Sequence, residues 1–254
     1  MGSKLFAIAR LTFKAALSEK LLQLASFFGI ALILLTIALG ALAPGANAKI
    51  LADFGLGSIE AVTVFVAIAL AAADLPRELE RRTLYVVLSK PVGRSVLVAG
   101  KYLGYMAALT VLTLMMALLF FGIIAMFHLP LQWPFVLSIG FGLLETFILV
   151  GMALLFSLLT SGTLAALYTL VFFVLGHQTG VLRDYGYHVG GTLRIATGIL
   201  YRVVPNLELL NLKNEVIYGI LPSSLQLWGS LAYAICWILG LGGLSVLILR
   251  RKEL

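Results

Sequence analysis

Charge is what this sequence most lacks. Only 11% of its residues are charged and 61% are hydrophobic, whereas a soluble domain carries about 25% charged residues. No soluble fold of 254 residues can hide that much apolar side chain, so a bilayer must be the solvent for much of it. Cysteine is almost missing. Cys236 is the single one, in an apolar run, which excludes an internal disulfide and a cysteine-based metal cluster. No GxxxxGK[ST] loop occurs, so the chain cannot hydrolyse ATP by that route, and any ATP must be used by a separate protein. HExxH and GxSxG are absent, and no two of His128, His177 and His188 stand at helical metal-ligand spacing. We read His128 and His177 as polar residues flanking span ends, with His188 beyond them. No catalytic residue and no metal ligand is assigned. There is also no internal repeat and no low-complexity tract, which speaks against an inverted-repeat secondary transporter.

What is present is apolar length. Stretches of about 20 residues, enough to cross hydrocarbon as helix, cover Leu22–Leu42, Leu56–Ala73, Leu103–Phe127, Phe135–Leu159, Leu164–Leu182 and Leu227–Leu249. The expected fold class is therefore all-α: a polytopic integral membrane protein with six transmembrane helices, forming a single transmembrane domain over 1–254. The second stretch is short. Ala41-Leu42-Ala43 resembles a signal cleavage site, but the apolar run before it is longer than the usual h-region of about 7–15 residues, so we expect no cleavage.

Lysine and arginine orient the chain. Lys4, Arg10, Lys14 and Lys20 precede the first span. Arg77, Arg81, Arg82, Lys90, Arg94 and Lys101 lie between spans two and three, and Arg250, Arg251 and Lys252 come after the last. The other side holds Lys49, Arg183, Arg194, Arg202 and Lys213, mostly spread through one long loop. The positive-inside rule then puts both termini in the cytoplasm, the natural setting being a bacterial cytoplasmic (inner) membrane. The net charge of +7 fits cytoplasmic loops and anionic headgroups, so membrane lipids are expected partners and nucleic acid is not.

Three non-spanning segments stand out. In 3–20, Lys4, Arg10 and Lys14 fall within one arc of about 120° on an otherwise largely apolar helix, the pattern of an interfacial helix on the inner leaflet. In 74–101, Pro76 suits the first turn of a helix. Glu78 and Arg82 pair at helical spacing with the acid first, and the residue before Pro91 ends the helix. Ser95 is a candidate cap for a second short helix entering span three. In 183–226, Leu193, Ala196, Leu200 and Val203 recur at helical spacing, Pro205 breaks the helix, and Asn206 is placed to cap the next, with Glu208 in its first turn. This outer segment reads as two short amphipathic helices dipping into the interface.

One ionisable residue lies deep in a span. Glu145 falls near the middle of the fourth stretch, where a carboxylate is expensive and so a functional candidate. Its expected companions are Ser138, Thr146 or a group from a partner subunit. The plainer reading is a protonated glutamic acid that ties two helices together by a hydrogen bond.

The most specific signal is the run from Glu78 to Arg94, ELERRTLYVVLSKPVGR, continued by Gly100-Lys101-Tyr102-Leu103-Gly104. It resembles the cytoplasmic loop of type-2 ABC transporter permeases: an acidic-basic pair, a Thr-Leu step, a short apolar stretch, Ser-x-Pro-Val-x-Arg, and Gly-Lys opening span three. Arg82 stands where that family often has glycine. The basic interfacial start, the six spans, Pro205-Asn206-Leu-Glu-Leu-Leu-Asn211 and the terminal Arg-Arg-Lys-Glu-Leu extend the likeness over the whole chain. The nearest subgroup resembles the permease of nitrous-oxide reductase maturation.

The resemblance implies a homodimer served by cytoplasmic ABC ATPase subunits, which bind the ATP and magnesium, while this chain needs no cofactor of its own and is not itself an enzyme. It implies a coupling helix over about Pro76–Leu88, with Glu78, Glu80, Arg81 and Arg82 as rim charges and Leu79, Leu84 and Tyr85 for the pocket. It also implies export of a hydrophobic or amphipathic substrate. The alternative is a mechanotransmission module that passes ATP-driven motion to a periplasmic protein on the outer helices and moves no cargo.

Overall fold

A computed structural model describes residues 2–41, 47–80, 93–129, 132–220 and 222–251 of the chain. Among these the protein is all-helical, with no strand. The α-helices are α1 (Gly2–Ser18), α2 (Lys20–Ala41), α3 (Asn47–Glu80), α4 (Arg94–Met126), α5 (Trp133–Leu159), α6 (Gly162–Val189), α7 (Gly191–Val203), α8 (Lys213–Ile217) and α9 (Ser224–Arg251). A 3-10 turn, Leu207–Leu210, stands between α7 and α8. Six of them, α2 to α6 and α9, are long and apolar enough to cross a membrane, in agreement with the six apolar stretches of the sequence.

The helices overrun those stretches because hydropathy registers apolar content and not helix ends. The second span is not short: α3 has 34 residues, about 50 Å at 1.5 Å per residue, against about 30 Å of hydrocarbon. It runs unbroken through Pro76, so up to Glu80 the polar segment continues the span and does not begin a helix of its own. A proline is tolerated there because only one ladder donor is lost. Likewise α4 is one helix from Arg94, capped by Gly93 with no side-chain bond; Ser95 caps no separate helix.

Side chains tie one end of the bundle together. Arg94 donates from Nη1 to the carbonyls of Leu249 and Arg250 at 2.9 and 2.8 Å, joining the start of α4 to the end of α9. Lys101 of α4 meets the end of α3, and Gly162 of α6 faces Ala72 and Ala73. We call this the basic end. Here α1 lies across α4, burying Thr12 and Ala16 while Lys4, Arg10 and Lys14 stay exposed. The contact needs glycine: a Cβ on Gly104 would stand 2.5 Å from Thr12 Cβ and 2.7 Å from the Ala9 carbonyl oxygen.

The centre of the bundle is α3 and α5, whose apolar windows are each 61% buried, while that of α9 is 17% buried and that of α6 is 22% buried. Leu109, Leu112, Met116 and Phe120 of α4 and Ile148, Leu149 and Leu154 of α5 fill the core. The outer surfaces of α2, α6 and α9 remain for lipid or another chain.

The segment after α6 departs from the sequence expectation. α7 does end before Pro205 and buries none of its residues, with Arg183 over the Tyr201 ring and Arg194 over Tyr187. The stretch beyond α7 is not a second surface helix. Val204, Leu207, Leu210, Leu212 and Val216 are buried, so one face of residues 204–217 packs against α3, α5 and α6, while Glu208, Leu209 and Asn214 stay exposed. Irregular backbone is tolerated there because protein, not lipid, covers that face. Asn206 caps nothing with its side chain; its backbone N–H donates to the Tyr233 hydroxyl of α9 at 2.7 Å.

Candidate functional site

Two polar clusters interrupt the apolar bundle. The first lies at the basic end, where α3 and α4 flank the segment 81–92. Asp74 and Glu78 are one helical turn apart on α3, as are Lys101 and Tyr105 on α4, so each pair shares a face. The Lys101 ammonium stands 2.5 Å from Asp74 Oδ2 and 2.8 Å from Glu78 Oε2, and its side chain is only 5% exposed. The Tyr105 hydroxyl donates to the same Asp74 oxygen. A lysine so buried requires such partners, since an unpaired ammonium away from water costs several kcal/mol. Glu19, between α1 and α2, makes a looser pair with Arg77 at 3.8 Å. The result is a clamp: the two helices entering and leaving 81–92 are joined by charge-assisted bonds.

Of the residues proposed from sequence for ATPase coupling, Glu78 is in this clamp. Leu79 and Glu80 finish α3, with side chains outside the described residues, and Arg81, Arg82, Leu84 and Tyr85 lie outside them altogether. The sequence reading missed Asp74, Lys101 and Tyr105. Their signal was available: an acidic pair and a Lys/Tyr pair, each at i, i+4, bracketing one loop.

The second cluster is at mid-bundle. Glu145 is fully buried near the centre of α5, and neither of its oxygens has a hydrogen-bond partner. The expected companions do not bind it. Thr146 donates to Gly142 of its own helix at 2.9 Å, and Ser138 lines a neighbouring cavity of about 20 Å³ together with Glu60, Thr63, Thr113 and Lys213. The groups that face Glu145 come from three other elements. His177 does not flank a span end; α6 continues to Val189, which leaves it inside the bundle with Nε2 3.5 Å from Glu145 Oε1. Glu60 of α3 is joined to the ammonium of Lys213, brought in by α8.

Atom chemistry restricts what this cluster holds. His177 Nδ1 lies 3.1 Å from the Phe173 carbonyl oxygen. A carbonyl only accepts, so Nδ1 carries a hydrogen, and in the neutral ring Nε2 then presents a lone pair to Glu145. Glu60, Glu145 and His177 do bring one ligand atom each within 4.8 Å of one another. They do not fit a resident divalent metal. Lys213 already occupies the Glu60 carboxylate, and a doubly charged ion added to two carboxylates and an ammonium would leave a buried net charge of about +1.

Six helices long and apolar enough to cross a membrane define a multi-pass membrane protein. The family model described as ABC-2 family transporter protein matches residues 5–254, and the chain belongs to that family. It is a membrane permease subunit of an ABC transporter, and the family implies that it associates with an ABC ATPase subunit. No sequence match was found among curated proteins.

Proposed function

We propose that the chain works as a homodimer in a bacterial cytoplasmic membrane, with both termini and segment 81–92 in the cytoplasm, and exports an amphipathic molecule. The ATPase subunits bind the ATP and magnesium, and the chain itself carries no cofactor. ATPase closure pushes on the loop between α3 and α4, and the clamp turns that push into concerted movement of both helices. The observation that carries this reading is the buried Lys101 ammonium held between Asp74 and Glu78, since it makes the two arms of the loop one lever.

The amphipathic cargo class has its own support. A groove of about 570 Å³ lined by Glu19, Asp74, Arg77, Glu78 and Lys101 opens beside α1. A purely apolar cleft of about 450 Å³ between α2 and α3, lined by Leu24, Phe28 and Phe65, shares Leu21 with it. A polar head and an apolar tail match that pair. A second reading, mechanotransmission to a periplasmic protein as in the nitrous-oxide reductase maturation subgroup, draws on α7, which is amphipathic, buries none of its residues and exposes Leu193, Ile195, Ile199 and Val203.

The deciding test of coupling is co-purification. Leu84→Ala with Tyr85→Ala should strip the ATPase from the permease, because interface energy concentrates in a few apolar anchors. Glu78 reversal should weaken association less. Normal association and normal permease-dependent ATP turnover in the double variant would remove the loop from the mechanism. In a Cys236→Ser background, cysteines at Ser89 and at Tyr218, 69% exposed, should label from opposite sides. Transport of a fluorescent phospholipid by the ATPase-loaded complex in liposomes separates export from mechanotransmission.

A further inference from the structure

Two facing groups at mid-bundle cannot coexist without a cation between them. Glu145 presents carboxylate oxygens with no hydrogen-bond partner, and the neutral ring of His177 turns a lone pair toward them, because its other nitrogen donates to Phe173. The surroundings fix how much positive charge is needed. From α3 comes Glu60, and from α8 comes Lys213, bonded to it. From the 3-10 turn comes Glu208, exposed and bonded by the Asn211 amide at 3.2 Å. The basic residues of α4, Arg94 and Lys101, and of α9, Arg250 and Arg251, all lie at the basic end. Around the pair, these groups comprise two carboxylates against one ammonium; Glu215 of the same segment, whose Oε2 also lacks a hydrogen-bond partner, is taken out of the test below by Glu215→Gln in every variant. One proton brings them to neutrality, and a second would overshoot.

We propose that Glu145 and His177 form a one-proton binding site whose occupancy keeps residues 204–217 seated in the bundle. The link between proton and segment is Lys213. It is the only cation the segment contributes, and it leaves the cluster if the segment leaves. With the proton bound, the seated cluster is neutral. Without it, an uncompensated negative charge faces a cavity of about 20 Å³, room for about one water, and withdrawal of the segment relieves the charge by admitting solvent. Proton loss thus opens the bundle on the side away from the clamp, so the site would act as a gate beyond the part of the chain that the ATPase reaches.

The protons held in each state set the direction with pH. Once hydrated, a glutamate and a histidine titrate near about 4.3 and 6.5. Above about pH 6.5 the open pair holds no proton and the seated pair holds one, so seating weakens about tenfold per pH unit. Between about pH 4.5 and 6.5 the open histidine also holds one proton, and seating is flat with pH.

The test is thiol labelling of the full chain in lipid nanodiscs, in a Cys236→Ser, Glu215→Gln background. Val216→Cys reports the buried segment, at 2% exposure. Tyr218→Cys, at a site 69% exposed, normalises the reactivity of the maleimide at each pH. The ratio of the two rates should be flat below about pH 6.5 and rise about tenfold per unit above it. Glu145→Gln removes the charge that needs the proton, so the rise above about pH 6.5 should vanish, and the ratio should instead rise below it, where only the open histidine takes a proton. In His177→Asn the open state holds no proton until Glu145 itself titrates, so the break should move from about pH 6.5 to about 4.3. A flat wild-type ratio, a rise toward high pH that survives Glu145→Gln, or a break left in place by His177→Asn would each overturn the proposal. So would zinc chloride restoring seating at pH 8 in the wild type but not in Glu145→Gln, since a metal would then be the cation. If the Gln variant fails to assemble, the wild-type profile and the His177→Asn break decide alone.

Discussion

Replacement of Lys101 by methionine tests the clamp most directly. The substitution keeps length and apolar volume and deletes the ammonium that stands between Asp74 and Glu78 at 2.5 and 2.8 Å. Removing one partner of a fully buried ion pair costs about 3–5 kcal/mol. Here the two carboxylates are 34% and 32% exposed, and the Tyr105 hydroxyl still bonds Asp74, so solvent and tyrosine recover part of the loss. We expect a destabilisation of about 2 kcal/mol, below that range for the same reason. For a chain of this size that lowers the melting temperature by about 4–8 °C. Coupling should suffer more than stability, because α3 and α4 no longer move as one body. Permease-stimulated ATP turnover should fall several-fold at a temperature where the variant is still folded. Neutralising the whole cluster, with Lys101→Met, Asp74→Asn and Glu78→Gln together, should restore most of the stability without restoring the turnover. A Lys101→Met protein that melts like the wild type and retains its stimulated turnover would refute the clamp as a transmitting element.

Individual contacts set other outcomes. Gly104→Ala puts a methyl group against the Ala9 carbonyl oxygen and Thr12, so α1 must lift at a cost of about 1–3 kcal/mol, read as faster tryptic cleavage after Arg10 and Lys14. Glu60→Gln and Lys213→Met should each destabilise, while the pair together should cost less than their sum by about 1–3 kcal/mol, measured as a double-mutant cycle of thermal unfolding. Burial raises the pKa of Glu215, in α8, above the ordinary carboxylate value, and its Oε2 has no hydrogen-bond partner. The folded carboxyl therefore holds its proton to higher pH than the unfolded one, and ionisation opposes folding above that range. Glu215→Gln should be slightly more stable than wild type at pH 8, with the difference vanishing near pH 4 in the same melting assay.

Much of this architecture was legible in the sequence. The apolar runs located six membrane helices, and the spacing of Lys4, Arg10 and Lys14 located an interfacial helix; both signals are local and periodic. Boundaries were less legible, because helix continues into polar sequence wherever it can pack, as α3 does through Asp74 and Glu78. Glu145 was conspicuous as a carboxylate inside an apolar run. Glu60 lies inside another such run but, with its partner Lys213 assigned to an outer loop, gave no reason to be linked with it. His177 passed for a headgroup residue because the run around it becomes polar one turn later, although α6 extends to Val189.

By itself, then, the sequence determined that this is a six-span membrane protein with a charged segment of ABC permease type. Those properties depend on composition, local periodicity and a contiguous motif. Tertiary structure alone decided which residues meet. Lys101 is buried because α3 and α4 pack side by side at the ends of one loop. Lys213 meets Glu60 because residues 204–217 fold back against α3, α5 and α6. The spacing of charges along one helix does not say which charges on another helix they will meet. An ion pair between helices depends on how non-consecutive elements pack, and on the absence of water that makes an unpaired charge too costly to keep.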